Sequence, residues 1–97
     1  MLMNNKILEK MHIEDIFSSR GRIKIIKLLA NEEELNISEI IKRTKSNHSI
    51  ITKHLKVLKE ANILQEKIYG RIKIYRFKIE DFKVKAIKNL IDIWENH

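Results

Sequence analysis

Apolar residues recur every three or four positions near both ends of this chain, in residues 3–17 and 80–96. This is the period of a helix that buries one face. A further helix with the same spacing is predicted to end near Asn31. The acidic residues 32–34 follow it as an exposed connector, which is predicted to be solvated and to have no other role. The pattern predicts a mainly α fold in which all 97 residues form one domain.

Two short helices are predicted between these long ones, within residues 36–60. Asn36 is followed three positions later by Glu39, an arrangement in which each side chain can cap free backbone amides at a helix start. After a brief turn, Asn47 is the expected cap of a second helix, which ends close to Asn62. Two short helices joined in this way form a helix-turn-helix.

The second of these helices has two chemically different faces. Ile51, Leu55 and Leu58 share one stripe, whereas the opposite face carries small hydroxyl groups between lysines. A short cationic face can approach a polyanion closely, so this helix is interpreted as a DNA recognition helix. Base preference does not follow from Ser and Thr, because a hydroxyl group bonds to several base edges.

The period changes after residue 63, where β-branched and aromatic residues become frequent. Residues 64–78 are interrupted by Gly70 and Arg71, which predicts a β-hairpin. Lys67, Arg71 and Lys73 crowd its tip. A basic hairpin directly after a recognition helix is a wing, whose cations can reach phosphates or an adjacent minor groove.

Charge is strongly segregated along the chain. The formal net charge is +7, but residues 42–78 alone carry +9 and the remainder −2. This distribution favours nucleic acid as the partner over an acidic protein, and a merely solvated basic surface is the alternative. The predicted DNA-binding residues are Lys45, Asn47, His48, Ser49, Thr52, Lys53, Lys56, Lys59, Lys67, Arg71 and Lys73.

A second group of residues is assigned to packing. His54 lies beside the apolar stripe of the recognition helix, so it is predicted to hold that helix against its neighbour, with direct DNA contact as the alternative. Tyr69, Tyr75 and Phe77 are predicted to pack within the wing and core and not to stack on bases.

The two end helices carry more apolar surface than a terminal helix needs, which predicts a two-fold homodimer. The alternative is that both helices only close the core of the monomer. The predicted dimer interface consists of Ile7, Leu8, Met11, Phe82, Ile87, Leu90, Ile91 and Trp94.

Several classes of function have no support in the sequence. Cysteine is absent, which excludes disulfides and thiolate chemistry. The four histidines have no metal-ligand spacing, and neither a catalytic triad nor a glycine-rich phosphate loop is found, so no metal, cofactor or enzymatic activity is predicted. Without a membrane-length apolar run or a signal peptide, a cytoplasmic location is expected.

The chain resembles the ArsR-type winged helix-turn-helix regulators over residues 16–77. The resemblance is strongest in residues 53–64, where His-Leu-Lys-Val-Leu precedes Ala61 and two further aliphatic residues. Weaker matches are residues 20–29, residues 37–40, and Gly70-Arg71 with Tyr75. The resemblance implies a homodimeric, repressor-like DNA-binding protein that dimerises through its first and last helices.

The chain departs from the family pattern at the metal-binding cysteines and in two other places. Metal-sensing members carry two cysteines in a Glu-Leu-Cys-Val-Cys-Asp-Leu segment, and here Asn36 and Ser38 stand in the thiolate positions. The usual glycine after the recognition helix is Asn62. In the last helix, Asp92, Glu95 and His97 do not form a convincing metal cluster.

The predicted function is therefore a sequence-specific, double-stranded DNA-binding transcriptional regulator, acting as a homodimeric repressor. The alternative is an architectural DNA-binding or protein-interaction module with the same fold and little sequence preference. A third hypothesis, a small-molecule or metal-responsive sensor, requires a pocket between subunits.

Overall fold

Five helices and three strands follow one another in the part of the chain that the computed structural model describes, residues 11–96. In chain order they are α1 (Ile13–Phe17), α2 (Arg20–Asn31), β1 (Leu35–Asn36), α3 (Ile37–Thr44), α4 (His48–Glu60), β2 (Leu64–Tyr69), β3 (Ile72–Phe77) and α5 (Phe82–Asn96).

The helix starts follow the capping chemistry of the sequence. The side-chain oxygen of Asn36 accepts the backbone N–H of Glu39 at 2.9 Å, and that of Asn47 accepts the N–H of Ile50 at 2.9 Å. The Glu39 carboxylate lies 3.5 Å from Arg43. Both predicted N-caps are therefore confirmed, but the reciprocal cap predicted for Glu39 is wrong, because its carboxylate pairs with Arg43 along α3.

The three strands form one antiparallel sheet in the order β1-β3-β2. Leu64 pairs with Phe77 at the base of the hairpin and Tyr69 with Ile72 at its tip. The turn between them uses Gly70 at φ 61°, a conformation that is open to glycine at little cost. Strand β1 was not predicted, because two residues are too few to show an alternating period.

The core is built around α2, which contributes the fully buried Ile25, Ile26 and Leu29. Helices α3, α4 and α5 and the sheet close around it. Their fully buried residues are Ile40, Ile51, Leu55, Leu58, Leu64 and Val84. The fold is a winged helix-turn-helix, which confirms the predicted fold class.

The first helix differs from its prediction. Helix α1 begins only at Ile13, because His12 has an extended backbone (φ −80°, ψ 152°) and donates its N–H to the Asp15 carboxylate at 3.1 Å. The prediction of one helix through Met11 and His12 is therefore wrong. The earlier part of that prediction, including Ile7 and Leu8, lies outside the described residues.

The last helix starts two residues later than predicted. The Asp81 carboxylate accepts the N–H groups of Lys83 (2.8 Å) and Val84 (3.3 Å), which places the cap at Asp81. Glu80 is held by Arg76 instead.

Candidate nucleic-acid interface

Helix α4 presents one buried and one exposed face. Ile51, Leu55 and Leu58 are buried in the core, as the sequence predicts. The side chains of Ser49, Thr52, Lys53 and Lys56 are all exposed. The structure therefore brings these four predicted site residues together on the outside of α4.

Thr44 and Lys45, which the sequence assigns to the brief turn before α4, fix the geometry of that turn. Thr44 is buried, and its hydroxyl donates to the carbonyl of Ile40 at 2.7 Å. Lys45 ends α3 in the left-handed conformation (φ 56°) and donates its N–H to the carbonyl of Ile41. The burial of Thr44 could have been predicted from the sequence, because Thr44 continues the helical spacing of Ile40. The left-handed backbone of Lys45 could not, because lysine is not typical of that position.

At the start of α4, Asn47 and His48 are exposed. The Asn47 side-chain oxygen is occupied by its capping bond to Ile50. The imidazole Nδ1 of His48 lies 3.4 Å from the Thr52 hydroxyl. Both predicted site residues therefore lie at the amino end of the exposed face.

His54 connects α4 to α2. A Cβ atom added to Gly21 would lie 2.5 Å from Nε2 of His54, so only glycine leaves room for the imidazole ring. The pKa of His54 is lowered by partial burial, and next by the positive charges of Arg22 and Lys53. His54 packs between helices, as predicted, and the need for glycine at position 21 was missed because it depends on a tertiary contact.

Two predicted DNA-binding lysines are engaged within the protein. Lys59, at the end of α4, lies 3.1 Å from a carboxylate oxygen of Glu66 on β2. Lys67 lies 2.7 Å from Glu34, which precedes β1. Since successive strand residues point to opposite faces, Lys67 lies on the sheet face away from Glu66 and α4. The structure therefore does not bring Lys67 together with the exposed face of α4.

The Glu66 carboxylate also accepts a hydrogen bond from the hydroxyl of Tyr75, which is only 4% exposed. The hydroxyl, and then Lys59, lower the pKa of Glu66. Burial, followed by this hydrogen bond, raises the pKa of Tyr75. The three side chains join the wing to the end of α4.

The acidic connector has a structural role. Glu32 pairs with Arg43 at 2.9 Å, and Glu34 pairs with Lys67. The prediction that residues 32–34 form only a solvated connector is therefore wrong.

The remaining predicted cations are exposed. Lys73 lies on the same sheet face as Glu66, which is the face toward α4, and Arg71 lies at the turn. Within residues 11–96, no ion pair with a carboxylate is formed by Lys45, Lys53, Lys56, Arg71 or Lys73. These five positive charges remain available to an anionic partner.

The aromatic residues of the wing divide into two groups. Tyr75 and Phe77 are buried, as predicted. Tyr69 is 59% exposed, so the prediction that it packs within the wing or core is wrong. Ile68 and Ile72, beside it at the tip, are also more than half exposed.

The residues of the predicted dimer interface also fall into a buried and an exposed group. Met11, Ile87 and Ile91 pack against the core of the same chain. Phe82 and Trp94 are 79% and 77% exposed, and Leu90 is exposed as well. By the helical period, Ala86 and Ile93 fall on the same side of α5 as these exposed residues. Helix α5 therefore has one apolar face in the core and a second that no other part of residues 11–96 covers.

A groove of about 410 Å³ adjoins this second face. The ion pair between Lys27 and Glu95, at 2.7 Å, forms part of its rim. Its apolar walls are formed by Phe17, Ile23, Ile87, Leu90, Ile91 and Trp94.

Residues 11–96 contain no group of three or more His, Asp or Glu side chains placed to hold a metal ion. In the same part of the chain, no helix combines the length and apolar character that crossing a membrane requires.

Comparisons with known proteins identify similar regulators. The sequence profile of the arsR family of bacterial regulatory proteins matches residues 19–66. The HTH-type transcriptional regulator MJ1325 of Methanocaldococcus jannaschii is 35% identical over 81 residues, which cover 80% of this chain and 89% of that protein.

Solved structures with low sequence identity share the fold. HlyU from Vibrio cholerae has a TM-score of 0.76 at 18% identity and covers 100% of both chains. The transcriptional repressor BigR from Xylella fastidiosa has a TM-score of 0.73 at 17% identity, covering 95% of this chain and 88% of that one.

Proposed function

The chain belongs to the ArsR family and is a DNA-binding transcriptional regulator, and we propose that it acts as a homodimeric repressor that recognises a specific sequence in double-stranded DNA. The observation that carries this proposal is the exposed face of α4, where hydroxyl groups lie beside lysine ammonium groups that pair with no carboxylate of residues 11–96. The proposal assigns binding, and no catalytic step, to the chain.

The recognition residues are Ser49, Thr52, Lys53 and Lys56, which enter the major groove. The small hydroxyl side chains allow the helix backbone to approach the base edges, while the lysines add attraction to the phosphates. Asn47 and His48 contact DNA at the amino end of the same helix.

Phosphates on either side of the groove are bound by Lys45 and by the wing residues Arg71 and Lys73. Such contacts fix the register of the protein on the duplex and carry no sequence information themselves. We assign Lys59 and Lys67 a different role from the one predicted, because Glu66 and Glu34 hold their ammonium groups. They fasten the wing to α4 and to the connector.

The homodimer is supported by the second apolar face of α5. A two-fold axis brings the same surface of two chains together, so Phe82, Leu90 and Trp94 would cover their copies. Burial of these side chains removes a contiguous apolar surface from water, which favours association. Ile7 and Leu8 remain predicted members of this interface. The dimer places two α4 helices in successive major grooves, about 34 Å apart.

Repression is supported by the family resemblance and requires only that the dimer occupy its operator. A regulator of this kind acts on the chromosome, so we also propose a cytoplasmic location.

The experiment that tests this function is selection of bound duplexes from a random pool, followed by competition with random duplex. The proposal predicts an inverted repeat with half-sites about one helical turn apart and a preference of at least about 10³-fold over random DNA. Recovery of unrelated sequences with equal affinity would contradict it and favour the architectural alternative. Repression is tested by transcription in vitro from a promoter that carries the selected site, where added protein should reduce the transcript.

A further inference from the structure

The tip of the wing exposes three large apolar side chains. Ile68 and Tyr69 are each 59% exposed and Ile72 is 53% exposed. They flank the turn formed by Gly70 and Arg71, so they project from the protein at the end of a two-stranded hairpin. An apolar cluster on such a projection is unfavourable in water unless a partner covers it.

The apolar side chains lie on both faces of the hairpin. Ile68 pairs with Lys73 on the face toward α4, whereas Tyr69 pairs with Ile72 on the opposite face. The tip therefore has the form of a thin wedge with apolar sides and Arg71 at its end.

We propose that this wedge enters the DNA minor groove beside each recognition helix, where its apolar side chains partly unstack a base step and bend the duplex. The inference rests on the proposed function, because α4 must occupy the adjacent major groove for the wing to reach this position. Apolar side chains inserted at a base step bend DNA toward the major groove, and the cost of unstacking is offset by additional contacts.

Charge complementarity identifies DNA as the partner. Arg71 and Lys73 are exposed beside the apolar side chains and form no ion pair with a carboxylate of the described residues. A second copy of the tip would bring like charges together, which opposes association. Nucleic acid offers phosphates to the cations and base faces to the apolar groups.

The wedge predicts a preference in the DNA flanking the half-sites. The minor groove of A·T pairs is narrow and strongly negative, and it lacks the amino group that guanine places there. Pyrimidine–purine steps unstack most easily. Flanks with a central T·A step should therefore be favoured, through a region that α4 does not contact.

The test uses the full chain and three duplexes with the same selected centre, whose flanks contain A·T, I·C or G·C pairs. Inosine removes the minor-groove amino group of guanine and keeps its major-groove edge. We expect equal affinity for A·T and I·C flanks, roughly tenfold weaker binding to G·C flanks, and a bend of about 20° or more at each wing in the favoured duplexes, measured by energy transfer between the DNA ends.

The matched variants are I68T/Y69T/I72T and the control Ile79→Thr. Threonine keeps strand propensity while removing apolar surface, and Ile79 is a similarly exposed isoleucine outside the wing. The triple variant should bind A·T flanks about tenfold more weakly and lose the bend and the flank preference, whereas the control should retain both.

The outcomes separate this inference from the proposed function. If the wild-type chain binds its selected centre but does not distinguish I·C from G·C flanks, the wedge is overturned and the proposed function stands. The same holds if a folded triple variant retains the bend. If the wild-type chain shows no preferred duplex at all, both are overturned. The comparison of flanks uses only the wild-type chain, so it tests the wedge even if the triple variant fails to fold.

Discussion

The ammonium group of Lys59 lies 3.1 Å from the carboxylate of Glu66, and this contact joins the end of the recognition helix to the wing. The other oxygen of the same carboxylate accepts the hydroxyl of Tyr75. Because Tyr75 is buried, the ion pair is anchored to the core and sets where the wing projects relative to α4.

Lys59 should therefore contribute little to the neutralisation of phosphates. In plots of log K against log salt for the selected duplex, Lys59→Met should leave the slope unchanged, whereas Lys56→Met should reduce its magnitude by about 0.9. The measurement is fluorescence anisotropy at several salt concentrations. An equal reduction in both variants would show that Lys59 leaves Glu66 to bind DNA.

Tyr75→Phe should lower the free energy of unfolding by about 1–3 kcal/mol, since the change removes the hydroxyl donor from a largely buried carboxylate. Urea denaturation at neutral pH measures this effect. An unchanged free energy of unfolding would indicate that water replaces the hydroxyl without loss.

Acid should weaken the contacts of the Glu66 carboxylate with Lys59 and Tyr75. The folded-state pKa of Glu66 is depressed, so its contribution to stability is present above the ordinary pKa of 4.5 and is lost as the pH falls through the lower folded value. Glu66→Gln should therefore be less stable than the wild type at pH 7, and this difference should shrink below about pH 4. A difference that stays constant with pH, measured by urea denaturation, would contradict the role of the carboxylate charge.

Gly21→Ala should destabilise the protein by about 1–3 kcal/mol, although alanine is ordinarily favoured over glycine inside a helix. The reason is the imidazole of His54, which occupies the space of the added Cβ atom. In a His54→Ala background the same change should be neutral or stabilising. Equal effects in the two backgrounds, measured by thermal denaturation, would rule out the contact as the cause.

Trp94→Ser should weaken the dimer and leave the monomer folded, because the indole is largely exposed in the single chain. Sedimentation equilibrium should show at least about a tenfold rise in the dimer dissociation constant, and Ile79→Ser serves as the matched loss of an exposed apolar residue. A Trp94 variant that dimerises as well as the control would contradict the assignment of the second apolar face of α5 to the dimer interface.

The sequence predicted those elements that local chemistry determines. Caps at Asn36 and Asn47, the helical stripes and the hairpin all depend on residues close together in the chain. Features that depend on distant contacts were missed. Strand β1 exists because Leu35 pairs with Tyr75, the ion pair of Lys67 requires Glu34, and Gly21 is needed because His54 packs on it. The exposure of Tyr69 was also missed, since alternation alone does not reveal where a strand leaves the core.

The most direct test of the central claim uses the absence of cysteine from the chain. A single thiol introduced by Ser49→Cys on the exposed face of α4, or by Lys85→Cys on the charged side of α5 as a control, can carry a DNA-cleaving iron chelate. With the selected duplex, we expect the Ser49 variant to cut within each half-site and the Lys85 variant to leave both half-sites intact. Cleavage by the Lys85 variant alone, or no cleavage by the Ser49 variant when it binds with wild-type affinity, would contradict the entry of α4 into the major groove.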